Sequence, residues 1–225
     1  MICKRLIRLA MAATLLTLLA GSAGGVSAAH ARHAGHTATH APTTLVIGTT
    51  QEPDTLNPEI TVLTTAFDVL WGVFNYLLLN DKNGNLIPNL ATSWNISPDN
   101  LTYTLHLRHG VRWADGAPFT SKDVLFTYTQ LMNAKNNNFQ TTGWSNISSV
   151  KLPDDYTIIF RTKKVFAPFL NDIGLNNAIL PAHYFARSPS FLKSGNYNRD
   201  PFNRKPWGTG PYMVSEWKSA DHITL

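Results

Sequence analysis

Between residues 90 and 124 the apolar and polar positions change period three times. Tyr103, Leu105 and Leu107 fall on one side of an extended chain, and Thr102, Thr104, His106 and Arg108 on the other. That is the period-two pattern of a half-buried strand. Ser97, Pro98, Asp99 and Asn100 precede it as turn chemistry, with proline fixing φ and Asp and Asn tolerating tight backbone geometry. Asp115, Gly116 and Pro118 break the chain again. Thr120 then stands three residues before Asp123, the spacing of a capping box, and Val124, Leu125, Tyr128 and Leu131 share one helical stripe. A hairpin is predicted over residues 150–161, where a Pro-Asp-Asp turn separates VKL from YTIIFRT, with Tyr156, Ile158 and Phe160 alternating.

The flanking stretches carry coarser signals. Residues 45–48 (LVIG) read as a short strand, followed by a loop with two prolines over residues 49–58. Residues 64–79 are apolar at helical spacing, with Phe67, Leu70, Trp71, Phe74 and Leu78 prominent, although Gly72 weakens that helix. Residues 81–85 form a turn of the Asn-Gly kind, and the polar run 133–138 ends the helix that Thr120 opens. Helices are predicted over residues 166–173 and from Ile179 to about Pro189. Residues 196–206 read as irregular, and Gly208 to Pro211 as a tight turn. Tyr212, Val214, Glu216 and Trp217 then suggest a strand, with another under way at Ile223 to Leu225. A strand pattern running to the last residue raises the expectation that more chain follows. No internal repeat is visible.

Residues 1–31 have the layout of a secretory signal. Lys4, Arg5 and Arg8 precede an uncharged run of twelve residues, 9–20, and then small residues with cleavage-like spacing up to Ala31. A membrane span needs about 20 apolar residues. Removing the leader lowers the net charge from +5 to 16 − 14 = +2, so the basic balance comes largely from the leader and gives no support for nucleic-acid binding. Cys3 is the only cysteine. The remaining chain therefore offers no disulfide, thiolate nucleophile or Cys-ligated metal, and an exported protein stabilised by its core is expected. Residues 32–42 carry histidines 33, 36 and 40 among Ala, Thr, Gly and Pro. A flexible linker is the primary reading, and a weak metal-binding tail the alternative.

Enzyme signatures are absent: there is no GxSxG, GxxxxGK[ST], HExxH or CxxC motif. Asp154 and Asp155 sit in the predicted hairpin turn, where desolvation is not expected. Arg108 and Arg112 are expected to pair locally with Asp115, and Trp71, Trp94, Trp113, Trp207 and Trp217 to be structural. Three Asn-x-Ser/Thr triplets, at Asn95, Asn100 and Asn146, fit the glycosylation pattern, which matters only in a host that glycosylates.

Taken in order, LVIGTTQEPDTLNP, GNLIPNLATSWNISPDNLTYTLHLRHGVRWADGAPFTSKDV, VKLPDDYTIIF, APFL, ILP and GTGPYMVSEW resemble the family 5 extracellular solute-binding proteins of ABC importers, the peptide- and nickel-binding class. The resemblance covers residues 43–225 and is most specific between Trp94 and Val124. It implies a mixed α/β fold: a type II periplasmic-binding-protein lobe with a β-rich subdomain inserted over roughly residues 60–200, and with the second lobe missing. It further implies an exported, periplasmic or extracellular monomer that captures short peptides and hands them to a membrane permease, with no catalysis, cofactor, metal or nucleic acid. A secreted hydrolase and a truncated, non-binding remnant are the alternatives. The family's cleft-bordering segments match two places here. One is the loop Gln51, Glu52, Pro53 and Leu56, where Glu52 is a candidate partner for a peptide amine and a solvated loop is the competing reading. The other is Thr141, Thr142, Gly143 and Trp144, where Trp144 is either a ligand platform or a core residue.

Overall fold

The computed structural model describes residues 44–225, so the expected leader and histidine-bearing linker lie outside the described residues. Residues 44–48 form no strand ladder, and Leu45, Val46 and Ile47 are exposed, which corrects the expected strand. A strand needs hydrogen-bonding partners, and none pairs with this stretch among the described residues.

The first helix, α1 (Thr64–Val73), is shorter than its apolar run. Phe74 is extended, and the loop 208–212 closes the helix end: Gly210 N–H donates to the Val73 carbonyl at 2.9 Å and Tyr212 N–H to that of Gly72 at 3.0 Å. The rest of the run becomes β1 (Leu78–Asn80), which pairs antiparallel with β2 (Leu86–Pro88) across the expected turn. Asp81 accepts from the N–H groups of Asn83 and Asn85 in that turn, and Gly84 adopts φ +83°.

The predicted block between residues 90 and 124 forms as read. β3 (Ala91–Ile96) and β4 (Thr102–Leu107) make a hairpin in which Tyr103, Leu105 and Leu107 are buried. Asn100 takes φ +55° in its turn, a conformation that Asn tolerates better than most residues. Thr120 and Asp123 form the full capping box at the start of α2 (Ser121–Leu131). β5 (Ile147–Asp154) and β6 (Thr157–Thr162) make the second hairpin, and β6 pairs with β4 to give a four-stranded antiparallel sheet of order β3-β4-β6-β5. Leu105 stands opposite Ile158 and Tyr103 opposite Phe160, so one face of the sheet is apolar.

Helix α3 (Phe169–Leu175) starts slightly later than expected. The single helix predicted after Ile179 is two, α4 (Ala182–Phe185) and α5 (Pro189–Ser194), because Ser188 caps a new start with Pro189 at the first position. The irregular stretch 196–206 contains a 3₁₀ turn, Pro201–Asn203, and buries Tyr197 and Phe202. The last strands are short: among the described residues β7 (Glu216–Lys218) pairs only with β8 (His222–Thr224).

Two apolar clusters result. One is drawn from a continuous stretch, Leu77 to Ile179, and holds Trp113, Phe119, Trp144, Phe160 and Phe169. The other joins residues 56–76 to residues 178–214, with Leu56, Leu70, Phe74, Phe185, Tyr197 and Phe202 at its centre. Trp207 packs against both. Asp123 also ties them: it accepts from Trp113 Nε1 at 3.2 Å and from the Ala182 N–H at 2.9 Å. Among the described residues no helix is long and apolar enough to cross a membrane.

Candidate ligand groove

Helix α1 is apolar on more than one face. Ala66, Leu70 and Val73 point into the second cluster. Phe67 and Trp71, one turn apart, lie beside that stripe, and Trp71 remains 56% exposed. Trp71 packs on the buried Tyr76 with ring centroids 4.7 Å apart. Phe139 faces the same space from the loop after α2, itself 45% exposed. These four aromatics line an open groove of about 290 Å³. Leu175 extends its apolar wall, and the amides of Gln140 and Asn176 supply its polar edge. Among the described residues no charged side chain lines it. Such a surface suits an apolar or aromatic group that also presents hydrogen-bonding atoms.

A buried polar chain stands behind this groove. Trp144 Nε1 donates to Asn177 Oδ1 at 2.5 Å, and Asn177 Nδ2 donates to Glu59 Oε2. The Glu59 carbonyl accepts from Phe139 N–H at 3.4 Å, and Asn177 Nδ2 also reaches the Gln140 carbonyl at 3.4 Å. Loop 57–61 is itself fixed by Asn57, whose side chain accepts from Glu59 N–H at 3.0 Å and donates to Asn203 Oδ1 at 3.0 Å.

The structure separates the residues singled out from sequence. Gln51 and Glu52 are exposed, but Glu52 is engaged: it accepts from Trp217 Nε1 at 2.6 Å and from Ala220 N–H at 3.0 Å, and these bonds lower its pKa. Arg204 lies 3.6 Å over the Trp217 ring. Glu52 therefore clasps the β7–β8 hairpin. Pro53 is buried and Leu56 fully so, within the second cluster. Trp144 is fully buried too, stacked on Tyr128 and edge-on to Phe160, which corrects the ligand-platform reading in favour of core packing. Gly143 is buried with φ +78°, and a Cβ there would sit 2.5 Å from that of Asp172, so the position takes glycine on both counts. Thr142 and Gly143 line a different concavity, of about 480 Å³, with Lys163 and Lys164, while Thr141 is half-buried.

A comparison with known families fixes the context. The model of the bacterial extracellular solute-binding proteins, family 5 Middle, matches residues 85–225. The chain belongs to the family 5 extracellular solute-binding proteins. It is 31% identical over 199 residues to the dipeptide-binding protein of Escherichia coli, covering 80% of this chain and 36% of that protein. It is 29% identical over 182 residues to the oligopeptide-binding protein AppA of Bacillus subtilis, covering 80% and 33%. Among solved structures, NikZ of Campylobacter jejuni in complex with Ni(L-His) matches with a TM-score of 0.65 at 32% identity, over 77% of this chain and 33% of that one. AppA in complex with a nonapeptide matches with a TM-score of 0.67 at 29% identity, over 76% and 34%. The chain spans about a third or less of the relatives it matches. These folds are type II periplasmic-binding-protein folds, as the resemblance implied.

Two expectations about neighbouring side chains fail in this family 5 chain. Trp71 is exposed rather than structural. Arg108 and Arg112 do not pair with Asp115: they donate to the carbonyls of Asn89 and Gly116, and Asp115 instead meets His183 at 2.8 Å. A local turn carbonyl was within reach of each guanidinium, so no ion pair was needed to satisfy it. Sequence reading also missed Phe139 and Glu59. The signal for the first was a lone aromatic inside a polar run, and for Trp71 an apolar helix with more faces than one core can cover.

Proposed function

We propose that this protein is the extracytoplasmic solute-capturing component of an ABC importer, that its solutes are short peptides, and that it delivers them to a membrane permease. The observation that carries this reading is the open aromatic groove, edged by amides and free of charge, on a fold whose family is named for solute binding. The likeness to a dipeptide-binding and an oligopeptide-binding protein supports the peptide class. The groove forms one wall of the site, and in the two-lobed arrangement of the resemblance a second lobe closes over it. Binding energy then shifts an open–closed equilibrium toward the form the permease recognises. Export through the leader places the protein outside the cytoplasm, consistent with that role. The apolar cluster from Leu77 to Ile179 lies within the residues 60–200 expected for the inserted subdomain.

Calorimetric titration with di- to pentapeptides tests the reading, alongside quenching of Trp71 fluorescence. Peptides with an apolar side chain are expected to bind and to perturb Trp71, and Trp71→Ala to weaken binding by about tenfold. Binding that is unaffected by both Trp71→Ala and Phe139→Ala would move the solute site away from this groove.

A further inference from the structure

Glu59 is 1% exposed, and its two carboxyl oxygens have unequal surroundings. The orientation of Asn177 is dictated by Trp144: an indole N–H can only donate, so it must face the amide oxygen, which leaves the Asn177 NH₂ to face Glu59. Oε2 therefore has a donor, while among the described residues Oε1 has no hydrogen-bond partner. A buried carboxylate in this setting would leave one anionic oxygen bare, whereas a carboxylic acid carries no charge, and an unpaired O–H costs far less than an unpaired anion. The titratable groups facing it are Tyr76, which lines the groove, and Tyr197 from the second cluster. Among the described residues no lysine, arginine or histidine forms an ion pair with it.

We propose that Glu59 is a positioning residue for the groove: as a neutral buried acid it holds the Phe139–Gln140 wall in place through its own carbonyl and Asn177, and its ionisation releases that wall. Burial pushes the carboxyl up to about 8, against the opposing pull of Asn177 and of the Ala178 backbone. The groove accordingly keeps its shape in acidic and neutral surroundings and loosens in alkaline ones. This placement rests on the groove being the solute site, but the proton itself can be followed without any solute.

The chain has three glutamates, Glu52, Glu59 and Glu216, so carbon-13 labelling of glutamate in the full chain gives three side-chain carboxyl signals. The signal missing in Glu59→Gln is expected to titrate at a proton concentration at least about 100-fold lower than that of Glu52. Amide exchange at Phe139 is expected to be equal in the two proteins at pH 6, and about tenfold faster in the unaltered chain at pH 9. Should Glu59→Gln not fold, the Glu59 signal is assigned in the unaltered chain through its sequence neighbours, and the carboxyl titration and the pH dependence of Phe139 exchange are read there against core amides such as Leu105. A Glu59 carboxyl that titrates with Glu52 overturns the proposal. Late titration without any change at Phe139 overturns its link to the groove. Neither result bears on peptide capture, which calorimetry tests separately.

Discussion

The two apolar clusters are built on opposite plans. The one from Leu77 to Ile179 folds from neighbouring hairpins and a capped helix, with most partners close in sequence. The other brings residues 56–76 against residues 178–214, more than a hundred positions away. The first satisfies most of its backbone in ladders and caps, though it too buries the Trp144 indole N–H on Asn177 and an unpartnered oxygen of Asp172. The second buries an unpartnered acid oxygen, an asparagine pair and a tyrosine hydroxyl on Asn138. Local construction satisfies the backbone through ladders. Long-range construction must satisfy loops with side chains, and those side chains are free to carry function. The groove lies where α1 of the second cluster meets the loop that leaves α2.

The sharpest test of the contrast compares two phenylalanines. Phe160→Ala and Phe202→Ala are each expected to cost about 3–5 kcal/mol in urea unfolding, since both leave a cavity in a buried aromatic cluster. Hydrogen exchange then separates them. Phe202→Ala should leave the β4 and β6 amides protected, whereas Phe160→Ala should expose them. Equal loss of protection in both would show that the clusters open as one unit.

The pH dependence follows next in size. Glu59 has a folded-state pKa near 8, against 4.5 as the ordinary value. Its contribution is therefore complete below about pH 4.5, declines as the unfolded chain ionises, and is lost as pH rises through 8. Glu59→Gln should flatten that fall, which is worth up to about 4 kcal/mol between pH 4.5 and 9. A parallel profile in both proteins would remove Glu59 as its cause.

A smaller effect is expected at the seam. A Cβ at Gly210 would lie 2.6 Å from the carbonyl oxygens of Gly72 and Val73, so Gly210→Ala must push the loop off the end of α1. A loss of about 1–3 kcal/mol in thermal unfolding is expected, together with increased exposure of Trp71 to an aqueous quencher. An unchanged melting temperature would mean that the loop yields freely.

The smallest effect belongs to Glu52. Its pKa is lowered by the bonds from Ala220 and Trp217, so its contribution is present at neutral pH and lost as pH falls through the folded-state value. Glu52→Gln should shift Trp217 emission while barely moving the unfolding midpoint. A large loss of stability would show that the clasp holds more than an exposed hairpin.

The amino-acid order alone determined the parts whose partners are close by. The alternation around Tyr103, the turn at Asn100, the Thr120–Asp123 cap and the Ile158–Phe160 hairpin all follow from period, turn chemistry and capping, which act within a few residues. The same blocks carried the family. The tertiary structure decided where α1 stops, because the carbonyls that end it are claimed by residues 210 and 212. It decided that Leu56 and Trp144 pack inside while Trp71 and Phe139 face out, since hydrophobicity says that a side chain seeks cover but not which neighbour provides it. It also made Glu59 and Glu52, seven residues apart on one loop, into a buried acid and an exposed clasp. Two identical side chains differ only in the dielectric and the donors that distant segments bring to them.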